Sequence, residues 1–256
     1  MSIVWLLIPI NKGKLEITFF DVGQGDAIYI KAPNGQRVLI DGGEDYTVSY
    51  KLAEKFVFPF CTLDYIFITH MHADHYGGLK KVTQNCDATH VTFNDIGCDS
   101  KTCNYFSELL TKNSIKKDDL ISLGDVSIKV LWPDIKNDNV NYSNVNNSSL
   151  VLFLDYGDFE ALFTGDAEVE ALKEVDIKGI LPYIQGGLDV YKASHHGALN
   201  GLYKPLLVDV APITCIISVG KNNKYGHPSS EVLSYFESIH CNTFRTDEIG
   251  DITFIF

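Results

Sequence analysis

The sequence predicts an α/β protein of mixed β-sheets covered by helices. Short runs rich in β-branched and aromatic residues, bounded by Gly, Asn and Pro, recur along the chain. Helical stretches lie between several of them, and the order of elements is uneven: hairpin-like pairs come first, strand–helix alternation follows, and both return in the second half. The chain has 256 residues, 45% of them hydrophobic and 12% aromatic, enough to bury a substantial core. No composition break divides it, so one domain over 1–256 is expected.

Taken in order, the apolar start MSIVWLLIPI reads as a β-strand, being too short for a membrane span and lacking the basic stretch of a secretory signal. No membrane span and a cytoplasmic location are expected. LEITFF, DAIYIK, RVLID, LDYIFIT and THVTF follow as strands, with a helix expected in YTVSYKLAEKFVF. YFSELLTKN reads as a helix, VSIKVLW, SLVLFLDY and EALFTG as strands, and AEVEALKEV as a helix. DVYKAS, ITCIISV and DITFIF complete the strands, and SSEVLSYFESIH is a helix opened by Pro228 and Ser229. The polar tract at 133–149, PDIKNDNVNYSNVNNSS, is expected to be a long surface loop.

The net charge of −12 argues against a protein that grips long nucleic acid by neutralising phosphates, because that mode needs a basic surface. Lysines gather only locally, as at Lys80 and Lys81 or in GKNNK at 220–224, which suits small anions or short strands. Six cysteines, Cys61, Cys86, Cys98, Cys103, Cys215 and Cys241, show no two-residue spacing and are expected to be reduced, structural thiols.

Several strands end in polar residues: RVLID at Asp41, YIFITH at His70, ALFTGD at Asp166 and VYKASHH at His195 and His196. In sheets flanked by helices, sites form beyond such strand ends. The densest cluster is FITHMHADHYGGL, where His70, His72, Asp74 and His75 fall within six positions. A two-residue spacing in extended backbone sends side chains to one side. One cation can therefore take His70 and His72, and a second Asp74 and His75; imidazole with carboxylate suits zinc or manganese. Gly77 and Gly78 then allow a tight turn into a helix.

HMHADH resembles the HxHxDH signature of the metallo-β-lactamase superfamily. FFDVGQGDAIYI, NNSSLVLFLDYG, FTGDAE, YKASHHGALNG, ISVGKNNKYGHPSSEVL and RTDEIGDITF are similar to its ComEC-like branch, as a stand-alone relative without the membrane channel. The resemblance implies an αββα sandwich, two mixed sheets face to face with helices outside. It also implies a hydrolase that activates water with one or two divalent metal ions, Zn2+ or Mn2+. Metal ligands would be His70, His72, Asp74, His75, Asp166 and His195, with Asp166 bridging, and Asp41 supporting the ligand histidines from behind. His196 would touch substrate or protonate the leaving group, although either neighbouring histidine is able to ligate.

Lys192 is expected at a substrate phosphate and His227 at the substrate, while Asp26, with Asp21 and Gln24, is a candidate to orient ligands. The family's further histidine for the first metal is missing: His90 reads as structural, and Asn146 and Asn147 stand near the place. The expected function is a phosphodiesterase or nuclease acting on a small phosphodiester, nucleotide or short nucleic acid. The alternatives are a hydrolase of a phosphocholine ester, lactone or β-lactam, and a non-catalytic binding protein. No Gly-x-Ser-x-Gly elbow or phosphate-binding loop is present.

Overall fold

The computed structural model describes residues 13–56, 60–93, 96, 101, 105–106, 115–134, 136 and 140–256. The first sheet opens with an antiparallel run, β1 (Glu16–Phe19), β2 (Ile28–Lys31) and β3 (Arg37–Ile40). Helix α1 (Thr47–Ala53) leads into β4 (Thr62–Phe67), parallel to β3. The short α2 (Ala73–Tyr76) and α3 (Leu79–Asn85) return the chain to β5 (Asp87–Thr92), parallel to β4. The second sheet begins with β6 (Leu120–Leu123), β7 (Val126–Trp132), β8 (Val151–Tyr156) and β9 (Phe159–Phe163), all antiparallel. After α4 (Val169–Leu172), β10 (Val190–Lys192) pairs parallel to β9. Helix α5 (Lys204–Val210), β11 (Thr214–Ile217), α6 (Ser230–Ser238), β12 (Asn242–Arg245) and α7 (Thr246–Ile249) follow. Finally β13 (Ile252–Ile255) crosses back to pair antiparallel with β1.

The described strands thus form a six-stranded sheet, β13-β1-β2-β3-β4-β5, and a seven-stranded sheet, β12-β11-β10-β9-β8-β7-β6. Both are mixed, and strand periodicity layers them. Ile17, Phe19, Ile30, Val38, Ile40 and Phe67 of the first sheet meet Ile128, Leu152, Leu154, Phe163 and Ile216 of the second in one buried core. The alternate residues face outward: Leu39, Leu63 and Ile66 pack with Val48, Leu52, Leu79 and Val82 of α1 and α3. On the far side Phe153, Leu162, Tyr191 and Ile217 pack with Leu206, Val210, Val232 and Phe236 of α5 and α6. This is the expected αββα sandwich.

Local signals account for much of the outline. Ser229 caps α6 by accepting from the Val232 amide at 3.3 Å, directly after Pro228. Helices expected over 46–58 and 167–175 shrink to α1 and α4, and most of the helix expected at 105–113 lies outside the described residues, as does the apolar start. Strands β6 and β12 were not expected. Both are edge strands, and β12 alternates half-buried and exposed residues without an apolar face.

Two expectations are corrected. Cys61 is disulfide-bonded to Cys86 and Cys215 to Cys241, with Cα atoms 4.6 and 5.8 Å apart, so these four are not reduced thiols. Each pair tethers the starts of neighbouring parallel strands, a proximity that spacing along the chain does not reveal; Cys98 and Cys103 lie outside the described residues. The tract at 133–149 is not a surface loop throughout. Its end, Asn146, Asn147, Ser148 and Ser149, is buried against the region where the strand ends converge.

Candidate metal centre

Glycines bring the strand ends together. In DVGQGD, Gly25 has φ +124°, and a Cβ there would stand 2.0 Å from the Asp74 carbonyl oxygen, so only glycine lets this loop touch the metal-ligand loop. The Asp26 amide donates to that same carbonyl at 3.3 Å. Gly42 and Gly78 seal a second seam: the Gly42 amide donates to His75 O at 2.6 Å and the Gly78 amide to Gly43 O at 3.0 Å.

Behind His75 stands Asp41, fully buried. Its carboxylate accepts from the Thr69 amide at 2.8 Å, the Thr69 hydroxyl at 2.7 Å and His75 Nδ1 at 2.8 Å. With the proton held on Nδ1, the His75 Nε2 lone pair faces the site, 3.2 Å from Asp166 Oδ2. His196 repeats the device. Its Nδ1 donates to Ser218 O at 2.9 Å, and its Nε2 lies 3.4 Å from both Asp74 Oδ2 and Asp166 Oδ2.

Asp74, His75, Asp166 and His196 each offer one atom within 4.8 Å of the others. His75 Nε2, His196 Nε2 and Asp166 Oδ1 are buried without a hydrogen-bond partner. Buried acceptors are seldom left so, and two imidazole lone pairs facing two carboxylates repel unless a positive charge lies between them. The residues present therefore fit a divalent cation. Proton affinities carry the same message. Burial works against charge on His75, yet the Asp166 and Asp41 carboxylates lift its pKa well above the imidazole range; Asp166 overcomes burial likewise at His196. Burial would raise Asp166, but His196 and His75 hold it well below the carboxylate range. Asp74, also against burial and chiefly through His196, is lowered to about 2.

Asp166 Oδ2 is shared with the other histidines, lying 3.9 Å from His70 Nε2 and 3.7 Å from His195 Nε2. His70 Nε2 and His72 Nδ1 face one another at 3.1 Å. Burial lowers the pKa of both, favouring the neutral imidazole that ligates. His90 is not beside this pair: it stacks on Tyr65 within the first sheet, with ring centroids 4.9 Å apart.

Asn147 is fully buried, its amide donating to Glu170 Oε2 at 2.9 Å, while Asn146 donates to Glu168 Oε1 at 2.8 Å. Both side-chain oxygens are buried and unpartnered. Glu168 and Glu170, which fix these amides, were not anticipated; their alternation directly after FTGD was the available signal.

The neighbouring histidines divide differently from the sequence expectation. His195 and His196 both adopt left-handed backbone, φ 51° and 54°, an uncommon pair for non-glycine residues. The turn swings His196 inward, 1% exposed, into the four-residue group. His195 stays outside that group, its side chain 21% exposed and its Nδ1 3.1 Å from Asn200 Oδ1.

Lys192 does not reach toward a substrate phosphate. It is fully buried because its position on β10 faces the space between the sheets; there its ammonium ion-pairs with Asp26 and donates to Gly165 O at 3.3 Å. Asp26 Oδ1 also lies 3.4 Å from His196 Nδ1. Gln24 Oε1 accepts from the Gly220 amide at 3.3 Å, and Asp21 closes its own turn onto the Gly23 amide. His227 is half-buried beside His195, ring centroids 5.6 Å apart.

Among the described residues, no helix is long and apolar enough to cross a membrane. The family model of the metallo-beta-lactamase superfamily matches residues 20–139. The chain is 30% identical over 277 residues to ComE operon protein 3 of Bacillus subtilis (strain 168), which covers 99% of this chain and 35% of that protein. It is 26% identical over 235 residues to Recombination protein 2 of Haemophilus influenzae, covering 90% of this chain and 27% of that one. The chain spans about a third of the length of these curated relatives. In fold it is similar to the metallo-beta-lactamase fold protein YhfI of Bacillus subtilis, with a TM-score of 0.58, 12% identity and coverage of 94% of this chain and 100% of that one. The HxHxDH turn, the shared carboxylate of Asp166 and these likenesses agree: the chain belongs to the metallo-β-lactamase superfamily and, within it, is similar to ComE operon protein 3.

Proposed function

We propose that the protein is a metal-dependent hydrolase of phosphodiesters, acting on a nucleotide or a short nucleic acid. The observation that carries this is the group of four ligand atoms from Asp74, His75, Asp166 and His196, beside the facing pair His70 and His72. Asp166 touches both sets, so two cations could share it. Bound there, divalent cations would lower the pKa of a water and neutralise charge on a phosphoryl group that otherwise repels hydroxide. The name of the Haemophilus influenzae relative, Recombination protein 2, supports a nucleic-acid substrate.

The protein's own groups take distinct parts in this reading. His70 and His72 would hold one ion, and Asp74, His75 and His196 the other; the Asp41 carboxylate and the Ser218 carbonyl keep His75 and His196 in the tautomers that present Nε2, with the Asp26 carboxylate beside the latter. The roles anticipated for His195 and His196 are thereby exchanged. His195, at the exposed edge of Asp166, is placed to meet the leaving group or an anionic oxygen, with His227 beside it.

The test is metal analysis of protein purified without added metal, followed by a panel of phosphodiesters and acyl esters with zinc or manganese. Diester hydrolysis that disappears in Asp74→Ala is expected. Acyl turnover with none on diesters would overturn the proposal.

A further inference from the structure

The loop at 220–228 carries a line of rings from the metal centre to the surface. His195, whose Nε2 is 3.7 Å from Asp166 Oδ2, meets His227 edge to face at 5.6 Å. His227 in turn stacks with Tyr225, centroids 5.9 Å apart and planes inclined by 14°. Tyr225 is 55% exposed. The Lys224 ammonium lies 5.1 Å from its centroid, and Lys221 is exposed on the same loop.

The loop is held in shape by one side chain. Asn223 Oδ1 accepts from the amides of Tyr225 and His227, each at 3.1 Å, and Asn223 Nδ2 donates to Gly220 O at 3.1 Å and His227 O at 2.6 Å. Tyr225 is therefore presented by fixed backbone, so binding on it costs little ordering. Two lysines here also run against a net charge of −12, concentrating attraction for an anion beside the site that needs it.

We propose that Tyr225 is a stacking platform for a nucleobase of single-stranded nucleic acid, with Lys224 and Lys221 meeting the phosphates that flank that base. The inference rests on the phosphodiester reading and narrows it to a substrate class. Every base has a π-face, so such a platform selects for the presence of a base and not for its sequence. A flat ring continuous with the site and flanked by cations matches a polymer that alternates bases and phosphates. A bare phosphodiester would use only the charge.

The experiment compares the metal-loaded protein on a single-stranded oligothymidylate and on an abasic backbone of the same length. Wild type should show a KM about tenfold lower for the base-bearing strand, the order expected of one stacked base. Tyr225→Leu should erase that preference, and Tyr225→Phe should keep it. A preference that survives Tyr225→Leu, or that is absent in wild type, overturns the platform. If wild type cleaves neither strand nor methyl 4-nitrophenyl phosphate, the phosphodiester reading itself fails. Fluorescence anisotropy of the labelled strands then decides the platform alone: base-dependent binding that Tyr225→Leu abolishes supports it, and base-independent binding or none overturns it.

Discussion

Asp26 joins two groups that lie apart in the sequence, the Lys192 ammonium and His196 Nδ1. Burial alone would raise its pKa, but Lys192 and then His196 keep it lowered and ionised. Removing one partner of a buried ion pair leaves the other charge unpaired, at a cost of about 3–5 kcal/mol. Lys192→Met should therefore destabilise the protein by that order, and Asp26→Asn added to it should recover part of the loss, as read by urea denaturation. A simple surface lysine would show neither effect. His196→Ala should lower metal content far more than His195→Ala, measured on purified protein by elemental analysis.

Glu160 offers a pH-dependent test away from the metal. Burial, followed by the Asp189 and Asp155 carboxylates, raises its pKa from 4.5 to about 7. Because the folded protein holds this proton more tightly than the unfolded chain, its favourable contribution is full below pH 4.5 and is lost as pH rises to about 7. Glu160→Gln, which stays neutral, should raise Tm at pH 8 and give no gain at pH 4.5. Thermal melts at the two pH values check the sign.

At the scale of elements, the disulfides tie the starts of β4 to β5 and of β11 to β12. Closing loops with sequence separations of 25 and 26 residues contributes roughly 3–4 kcal/mol each on the chain-entropy account. Thiol titration in denaturant should find Cys61, Cys86, Cys215 and Cys241 protected until reductant is added, with a lower Tm afterwards. Such bridges form and persist in oxidising compartments. Strands β1 to β4 were legible because each carries buried apolar residues, whereas β6 and β12, at the edges, have too little apolar face to reveal them.

For the whole molecule, the cations would act as part of the fold. Carboxylates and imidazoles converge from β3, the turn after β4, the end of β9 and the end of β10, so ion binding should link both sheets. Chelation should lower Tm and readdition of manganese or zinc should restore it; an ion at a hundred times its Kd adds about 2.7 kcal/mol. Equal melting curves with and without chelator would contradict this.

The sequence by itself determined the mixed-sheet class through its strand and helix patterns, and the sandwich through the family that its motifs resemble. It also determined the HxHxDH turn with its two-residue spacings and the convergence of Asp41, His70 and Asp166 at strand ends. What only the tertiary structure decided depends on distances across the chain. The left-handed turn at His195 and His196 chooses which ring faces Asp166; the inner face of β10 buries Lys192 on Asp26; and parallel neighbours bring cysteines within bonding range. Periodicity reports which side of an element a residue occupies. It carries no information about which distant residue occupies the opposite side, and that pairing sets the charge, the tautomer and the ligand set of this centre.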